Sequence, residues 1–257
     1  MIAKQFVEKV NQKTTLKIEN SQTTINGSPR KRGPESDLVM DFLSKQINNS
    51  PEDYHQAILI EPSLGNLIPD IVILLWNPVI FRSWEGQLSS LDTFDYKLLQ
   101  LFYISGPLSF REINKLSKRA TTSNLDKLET ANLLVRYNDK WTINDPSQIF
   151  AIKSITTIEA KISAVEKAIS QAFINTWFSS ESYILTGNES HHNTTISRAT
   201  NRGIGIFGKT RKFGYKKILK AREIPIPNSY WAWFFNEFLW INFKMGNYVS
   251  ESRKSHF

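Results

Sequence analysis

Phe150-Ala-Ile-Lys-Ser-Ile-Thr-Thr-Ile-Glu-Ala-Lys-Ile162 is the stretch on which the reading of this chain turns. Its second half alternates in character, and successive side chains of an extended strand point to opposite faces. Ile158, Ala160 and Ile162 then share one face, and Thr157, Glu159 and Lys161 share the other. A carboxylate and an ammonium two residues apart thus project from one sheet face above an apolar underside. A helical pattern follows in Ala164-Val-Glu-Lys-Ala-Ile-Ser-Gln-Ala-Phe-Ile-Asn-Thr-Trp177, and Ser182-Tyr-Ile-Leu-Thr186 reads as another strand.

Upstream, Ala57-Ile-Leu-Ile-Glu-Pro-Ser-Leu64 and Ile68-Pro-Asp-Ile-Val-Ile-Leu-Leu-Trp76 are two β-rich runs separated by Gly65-Asn66, the pattern of an antiparallel hairpin. The second run is apolar on both faces, which suits a central strand. Order begins at Glu35, where Ser36-Asp37 offers an N-cap and Leu38, Met40-Asp41-Phe42-Leu43 and Ile47 recur at helical spacing.

Between Leu91 and Asn144 the character changes. Leu98-Leu-Gln-Leu-Phe102 reads as a helix ended by Ser105-Gly-Pro107, Phe110-Arg-Glu-Ile-Asn-Lys-Leu116 as a second and Thr122-Ser-Asn-Leu-Asp-Lys-Leu-Glu129 as a third. Asn132-Leu-Leu-Val-Arg-Tyr137 and Trp141-Thr-Ile143 form two short strands about a turn. Three helices and a β-wing resemble a winged helix-turn-helix of the kind found in MarR-type regulators. The resemblance makes the third helix the DNA reader, since a helix fits the major groove. Its contact residues would be Thr121, Thr122, Ser123, Asn124 and Lys127, although the same helix carries Asp126 and Glu129, which a phosphate repels.

Pro69-Asp70 opening a buried strand, followed by Glu159-Ala160-Lys161 on a second, resembles the PD-(D/E)XK restriction-endonuclease-like superfamily. Lys167-Ala-Ile-Ser-Gln-Ala172 before a Ser-Tyr strand is similar to the Gln-bearing helix of several of its branches, and Arg202-Gly-Ile-Gly-Ile-Phe207 to an edge strand seen in some. Two departures stand out. Asp70 and Glu159 are separated by 88 residues (71–158), and removing 91–144 leaves 34, so a nested domain at a loop tip repairs the spacing. The tryptophan usual in the helix after E-x-K is unmatched, with Val165 or Glu166 near its place. The fold class implied is α/β (α+β): a restriction-endonuclease-like central mixed sheet flanked by helices, with an inserted winged-helix domain. The expected boundaries are an irregular arm over 1–34, a core of 35–90 and 145–257, and an insertion over 91–144.

Phosphodiester hydrolysis needs a hard cation and an activated water, and Mg²⁺ is held by one or two carboxylates plus substrate phosphate. The resemblance makes Asp70 and Glu159 those carboxylates and the Ala160 carbonyl a further ligand. Lys161 would hold the attacking water, and Gln171 would orient Lys161 or a phosphate oxygen. Glu61, Glu35 and Asp41 are additional candidate ligands. Read singly, Glu159 and Lys161 equally suit a solvated edge-strand face, and Asp70 a turn cap after proline.

From Arg198 to Arg222 there are nine Lys+Arg and no acid, including Arg202, Lys209, Arg211, Lys212, Lys216 and Lys217, with Phe207, Phe213 and Tyr215 interleaved. A one-sign run of this kind is a phosphate-binding surface or a solvated one. Arg30-Lys-Arg32 offers the same choice, to phosphate or as linker. Tyr230-Trp-Ala-Trp-Phe-Phe-Asn-Glu-Phe-Leu-Trp-Ile-Asn-Phe243 is apolar nearly all round and is expected in a core or a dimer interface, with stacking on bases as the remaining use. His191-His192 reads as a polar loop.

The 257 residues carry 32 Lys+Arg against 24 Asp+Glu, a net charge of +8, and no cysteine. Disulfides, thiolate metal sites and cysteine nucleophiles are therefore excluded. The longest apolar run, Ile71–Trp76, falls short of a membrane span, and Met1-Ile-Ala-Lys-Gln-Phe-Val-Glu8 lacks a signal-peptide pattern. The expectation is a cytoplasmic, Mg²⁺-dependent endonuclease acting on double-stranded DNA as a homodimer, in restriction or defence. A winged-helix regulator on a structural nuclease-like scaffold and a structure-specific repair or recombination nuclease are the alternatives.

Overall fold

The computed structural model describes residues 5–10, 13–19, 33–46, 54–62, 64, 67–84, 91–211, 214–244 and 250–251. Its contacts divide the chain into two compact units: 1–76, 153–226 and 248–257 form one, and 77–152 with 227–247 form the other.

The first unit contains β1 (Gln5–Val10), β2 (Lys13–Glu19), α1 (Pro34–Gln46), β3 (His55–Ile60) and β4 (Ile71–Trp76) from the start of the chain. The second unit begins with α2 (Pro78–Ser83), α3 (Thr93–Ser105), β5 (Leu108–Ser109), α4 (Phe110–Leu116) and α5 (Thr122–Thr130), and continues with β6 (Leu134–Tyr137), β7 (Lys140–Ile143) and α6 (Pro146–Ile149). The chain then returns to the first unit through β8 (Ile152–Lys161), α7 (Val165–Asn175), β9 (Glu181–Thr186), α8 (Asn193–Asn201), β10 (Gly205–Thr210) and β11 (Gly214–Leu219). It crosses back for α9 (Tyr230–Lys244) and ends, among the described residues, at β12 (Ser250–Glu251).

The sheet of the first unit is mixed, in the order β11-β10-β9-β8-β4-β3-β2-β1-β12. β3 and β4 are antiparallel, pairing Ile60 with Ile71, as the hairpin pattern predicts. β4 and β8 are neighbours running in opposite directions: Ala160 at the end of β8 donates to Asp70 just before β4, and Asn77 just after β4 donates to Ala151 just before β8. β8, β9 and β10 are mutually parallel, and α7 and α8 are the crossovers that parallel pairing requires. On one face Leu38, Val39, Phe42 and Leu43 of α1 bury against Ile58, Ile71, Ile158, Ala160, Tyr183 and Leu185. On the other, Ala168, Ile169 and Ala172 of α7 and Ala199 of α8 cover Ile184, Ile204 and Ile206. Each fully buried Leu or Ile contributes about 2 kcal/mol.

Two expectations change here. The arm over 1–34 is not irregular throughout: β1 and β2 pair antiparallel, and β2 adds parallel to β3. Thr14, Leu16 and Ile18 alternate with Thr15 and Lys17 in that stretch, a period of two that a search for helical spacing passes over. Arg30–Arg32 lies outside the described residues. The polar face expected on β8 is also covered, with Thr157, Glu159 and Lys161 all buried.

In the second unit the three expected helices and two strands form where the pattern places them, with β5 as a third strand in the order β5-β7-β6. Asp92 and Asp95 close a capping box on α3, Ser109 and Glu112 one on α4, and Thr121 and Asn124 one on α5. This unit is wider than the expected 91–144, because α9 belongs to it. Trp240 packs on Trp84 with ring centroids 4.2 Å apart, Trp233 on Phe150 at 5.0 Å, and Asn236 bonds both the Ala151 N–H and the Ile149 carbonyl. An apolar helix must bury its surface, and α9 does so within the chain. Among the described residues no helix is long and apolar enough to cross a membrane.

Candidate active site

Asp70 stands directly before β4, and Ala160 and Lys161 end β8. Antiparallel neighbours bring the start of one strand beside the end of the other, so residues far apart in sequence meet. The Ala160 N–H donates to Asp70 Oδ2 at 2.7 Å. Lys161 Nζ donates to the Ala160 carbonyl at 2.9 Å and to Glu35 Oε2 at 2.9 Å, and lies 4.0 Å from Asp70 Oδ2. Glu35 comes from the first turn of α1. The Asp70 and Lys161 side chains are only 3% and 9% exposed, and charges so buried persist only when paired.

Glu159 is not part of this convergence. Strand alternation turns it to the α7 face, alongside Ile184 in the register, where its Oε1 accepts from Asn175 Nδ2 at 2.8 Å. The expectation that Glu159 joins Asp70 is therefore corrected: the second carboxylate beside Asp70 and Lys161 is that of Glu35. Gln171 lies one turn before Asn175, and its Oε1 is buried with no hydrogen-bond partner among the described residues, so it does not orient Lys161.

A hard cation takes oxygen donors, and the donor chemistry here fits Mg²⁺. Asp70, Glu35 and the Ala160 carbonyl already surround one positive charge, the Lys161 ammonium. Among the described residues no group of three His, Cys, Asp or Glu is arranged to hold a metal ion. A cleft of about 230 Å³ opens beside these residues, lined by Pro34, Glu35, Val39, Ile60, Glu61 and Asp70 among others. Glu61 sits in the left-handed backbone region at φ 49°, and its N–H donates to the Asp70 carbonyl at 3.0 Å. Asp41 is engaged elsewhere: Lys209 Nζ at 2.7 Å, Lys45 Nζ at 2.6 Å and the Tyr215 hydroxyl at 2.8 Å all reach its carboxylate. The Lys209 bond, followed by those of Lys45 and Tyr215, holds Asp41 well below the usual carboxylate range.

Thr186 pairs with Lys161 in the β8–β9 register, and its Oγ1 is 3.0 Å from His191 Nε2. Burial, then the charge of His192, lowers the His191 pKa. His191 thus lies in a loop, as expected, and that loop packs against a strand end. Of the basic run, Arg202 donates to Ser170 Oγ at 3.2 Å and lies over Phe173, and Lys217 lies over Tyr183. Lys209, as above, bonds Asp41. Arg211 and Lys216 are exposed on the β10–β11 hairpin, and Lys212 lies outside the described residues.

The reader surface expected on α5 is altered more. Asn124 Nδ2 donates to Asp95 Oδ1 at 2.9 Å and Lys127 Nζ to Asp95 Oδ2 at 2.6 Å. Both are turned into their own unit by a fully buried carboxylate. Thr121 is the N-cap, and Thr122 and Ser123 remain exposed beside Asp126. Sequence reasoning missed Asp95, Asn175 and Glu237. Glu237 on α9 accepts from the Tyr96 hydroxyl, and burial pushes its pKa up to about 7. The one available signal was an acid inside an otherwise apolar helix.

Comparison with protein-family models, with curated proteins and with solved structures finds no match to this chain.

Proposed function

We propose that this protein is a Mg²⁺-dependent endodeoxyribonuclease of the PD-(D/E)XK restriction-endonuclease-like type, acting in restriction or defence. The observation that carries this reading is the meeting of Asp70, the Ala160 backbone, Lys161 and Glu35 where β4 and β8 adjoin. The order α1–β3–β4–β8–α7–β9 supports it, as does the presence between β4 and β8 of five helices and three short strands, which suits an inserted domain. Asp70, Glu35 and the Ala160 carbonyl would hold Mg²⁺, which supplies charge neutralisation and a more acidic water at the phosphodiester. Lys161 would face the phosphate and offset its developing charge. Exposed Arg211 and Lys216 would contact phosphates of double-stranded DNA, and Thr122 and Ser123 are what remains of the expected duplex reader. A homodimer cutting both strands belongs to the same proposal, with a surface other than α9.

The bond between Glu159 and Asn175 favours a second reading, a DNA-binding regulator whose nuclease-like sheet is structural. Incubating plasmid and phage DNA with wild type, Asp70→Ala and Lys161→Ala in Mg²⁺ separates the two. The nuclease reading expects discrete fragments from wild type and at least a ~100-fold loss in each variant, the scale of removing a preorganised electrostatic group. Wild type that binds DNA yet cuts neither substrate with Mg²⁺ or Mn²⁺ supports the regulator instead.

A further inference from the structure

We infer that Lys161 is a tethered counter-cation that occupies the metal position of this site until a divalent ion takes its place. The inference rests on the nuclease reading and adds to it a competition between two cations for the same oxygens. Lys161 Nζ bonds the Ala160 carbonyl and Glu35 Oε2, both at 2.9 Å, and lies 4.0 Å from Asp70 Oδ2. These three oxygens are the hard donors that a Mg²⁺ ion would use. An ammonium and a divalent ion cannot share them, because two positive charges at ~4 Å repel strongly in a region of low dielectric.

The buried Asp70 needs a neighbouring positive charge in either state. Lys161 supplies it without metal, and the metal supplies it afterwards. Once released from Glu35 and Ala160, the ammonium remains tethered at the end of β8, beside Thr186. It is then free to meet a phosphate oxygen. Metal binding and presentation of the lysine are thereby one event, so the site does not offer its cationic arm before the metal is in place.

Two measurements with Mn²⁺ alone, without DNA, test this. Calorimetric titration compares wild type with Lys161→Met, whose fold is checked by circular dichroism. Lys161→Met is expected to bind Mn²⁺ at least tenfold more tightly. In wild type, reductive dimethylation mapped by mass spectrometry is expected to show Lys161 protected without Mn²⁺ and labelled several-fold faster with it, with exposed Lys216 as the constant reference. If wild type binds Mn²⁺ but Lys161→Met binds no tighter and Lys161 labelling does not rise, the inference falls and the nuclease reading stands. If neither protein binds Mn²⁺, the metal-dependent reading falls with it. The labelling experiment decides the matter should Lys161→Met fail to fold.

Discussion

Asp95, in the first turn of α3, is fully buried and accepts from the Asp92 N–H, Asn124 and Lys127. Lys127→Met leaves that carboxylate without its cation. Breaking a buried pair costs ~3–5 kcal/mol, and partial exposure of Lys127 reduces this to about 2 kcal/mol. Thermal denaturation should show the loss, while the salt dependence of the DNA binding proposed above, measured on the same variant, should stay unchanged. A fall in that slope by about one would instead return Lys127 to the phosphate-contacting set. Glu237 makes a pH prediction. Its pKa rises from 4.5 to about 7, through burial first, with the nearby Asp95 charge adding to it against the Tyr96 and Leu91 hydrogen bonds and the Lys127 charge. A carboxyl with a raised folded pKa contributes stability that is complete below its unfolded pKa and is lost as pH rises through the folded value. The unit containing α9 should lose about 3 kcal/mol between pH 4.5 and 7 from this group. Denaturant melts across that range should flatten in Glu237→Gln, and an identical pH profile for the variant would refute the assignment. All three residues are legible in the sequence as types. Their roles are not, because Asp95, Lys127 and Glu237 come from three different helices.

At the scale of elements, β8 and β10 show what local pattern carries. Alternation in Ile158–Ile162 predicts which residues share a face, and the structure agrees for Ile158 and Ala160, under α1, and for Glu159, against α7, but Lys161, expected on the Glu159 face, reaches Glu35 of α1 from the strand's end. Alternation does not say that both faces are covered, since that depends on the helices packed there. The Gly203–Gly205 pattern in the last crossover has a physical cause. Gly203 adopts φ 71°, and a Cβ on Gly205 would stand 2.1 Å from the Tyr183 ring and 2.8 Å from the Ala221 nitrogen. Ala221 is backbone and Tyr183 is fully buried, so neither yields cheaply. Gly205→Ala should cost about 2–3 kcal/mol by overpacking, read as a lowered denaturation midpoint. An unchanged midpoint would mean that β9 and β10 are not so closely packed.

Across the whole molecule, the two units exchange the chain at 77, 153, 227 and 248. Trp240→Ala removes the ring that packs on Trp84 and should cost ~3–5 kcal/mol. Hydrogen exchange should show the lost protection concentrated in 77–152 and 227–247, with β8–β10 protected as before. Uniform loss over both units would show that they unfold as one. The sequence by itself determined α1, the β3–β4 hairpin, the central strand, the β8–α7–β9 succession and the existence of an inserted helical segment, because these follow from spacing and turn residues along a short length of chain, whereas β1 and β2 went unread. It also placed Asp70, Ala160 and Lys161 at the ends of their strands. Only the tertiary structure decided that Glu35 and not Glu159 meets Lys161, that Asn124 and Lys127 serve Asp95, and that α9 closes the inserted unit. Each of those outcomes depends on which distant partner lies within about 3 Å of a charged or apolar side chain. A buried charge or an apolar helix must find some partner, and nothing along the chain states which one packing will supply.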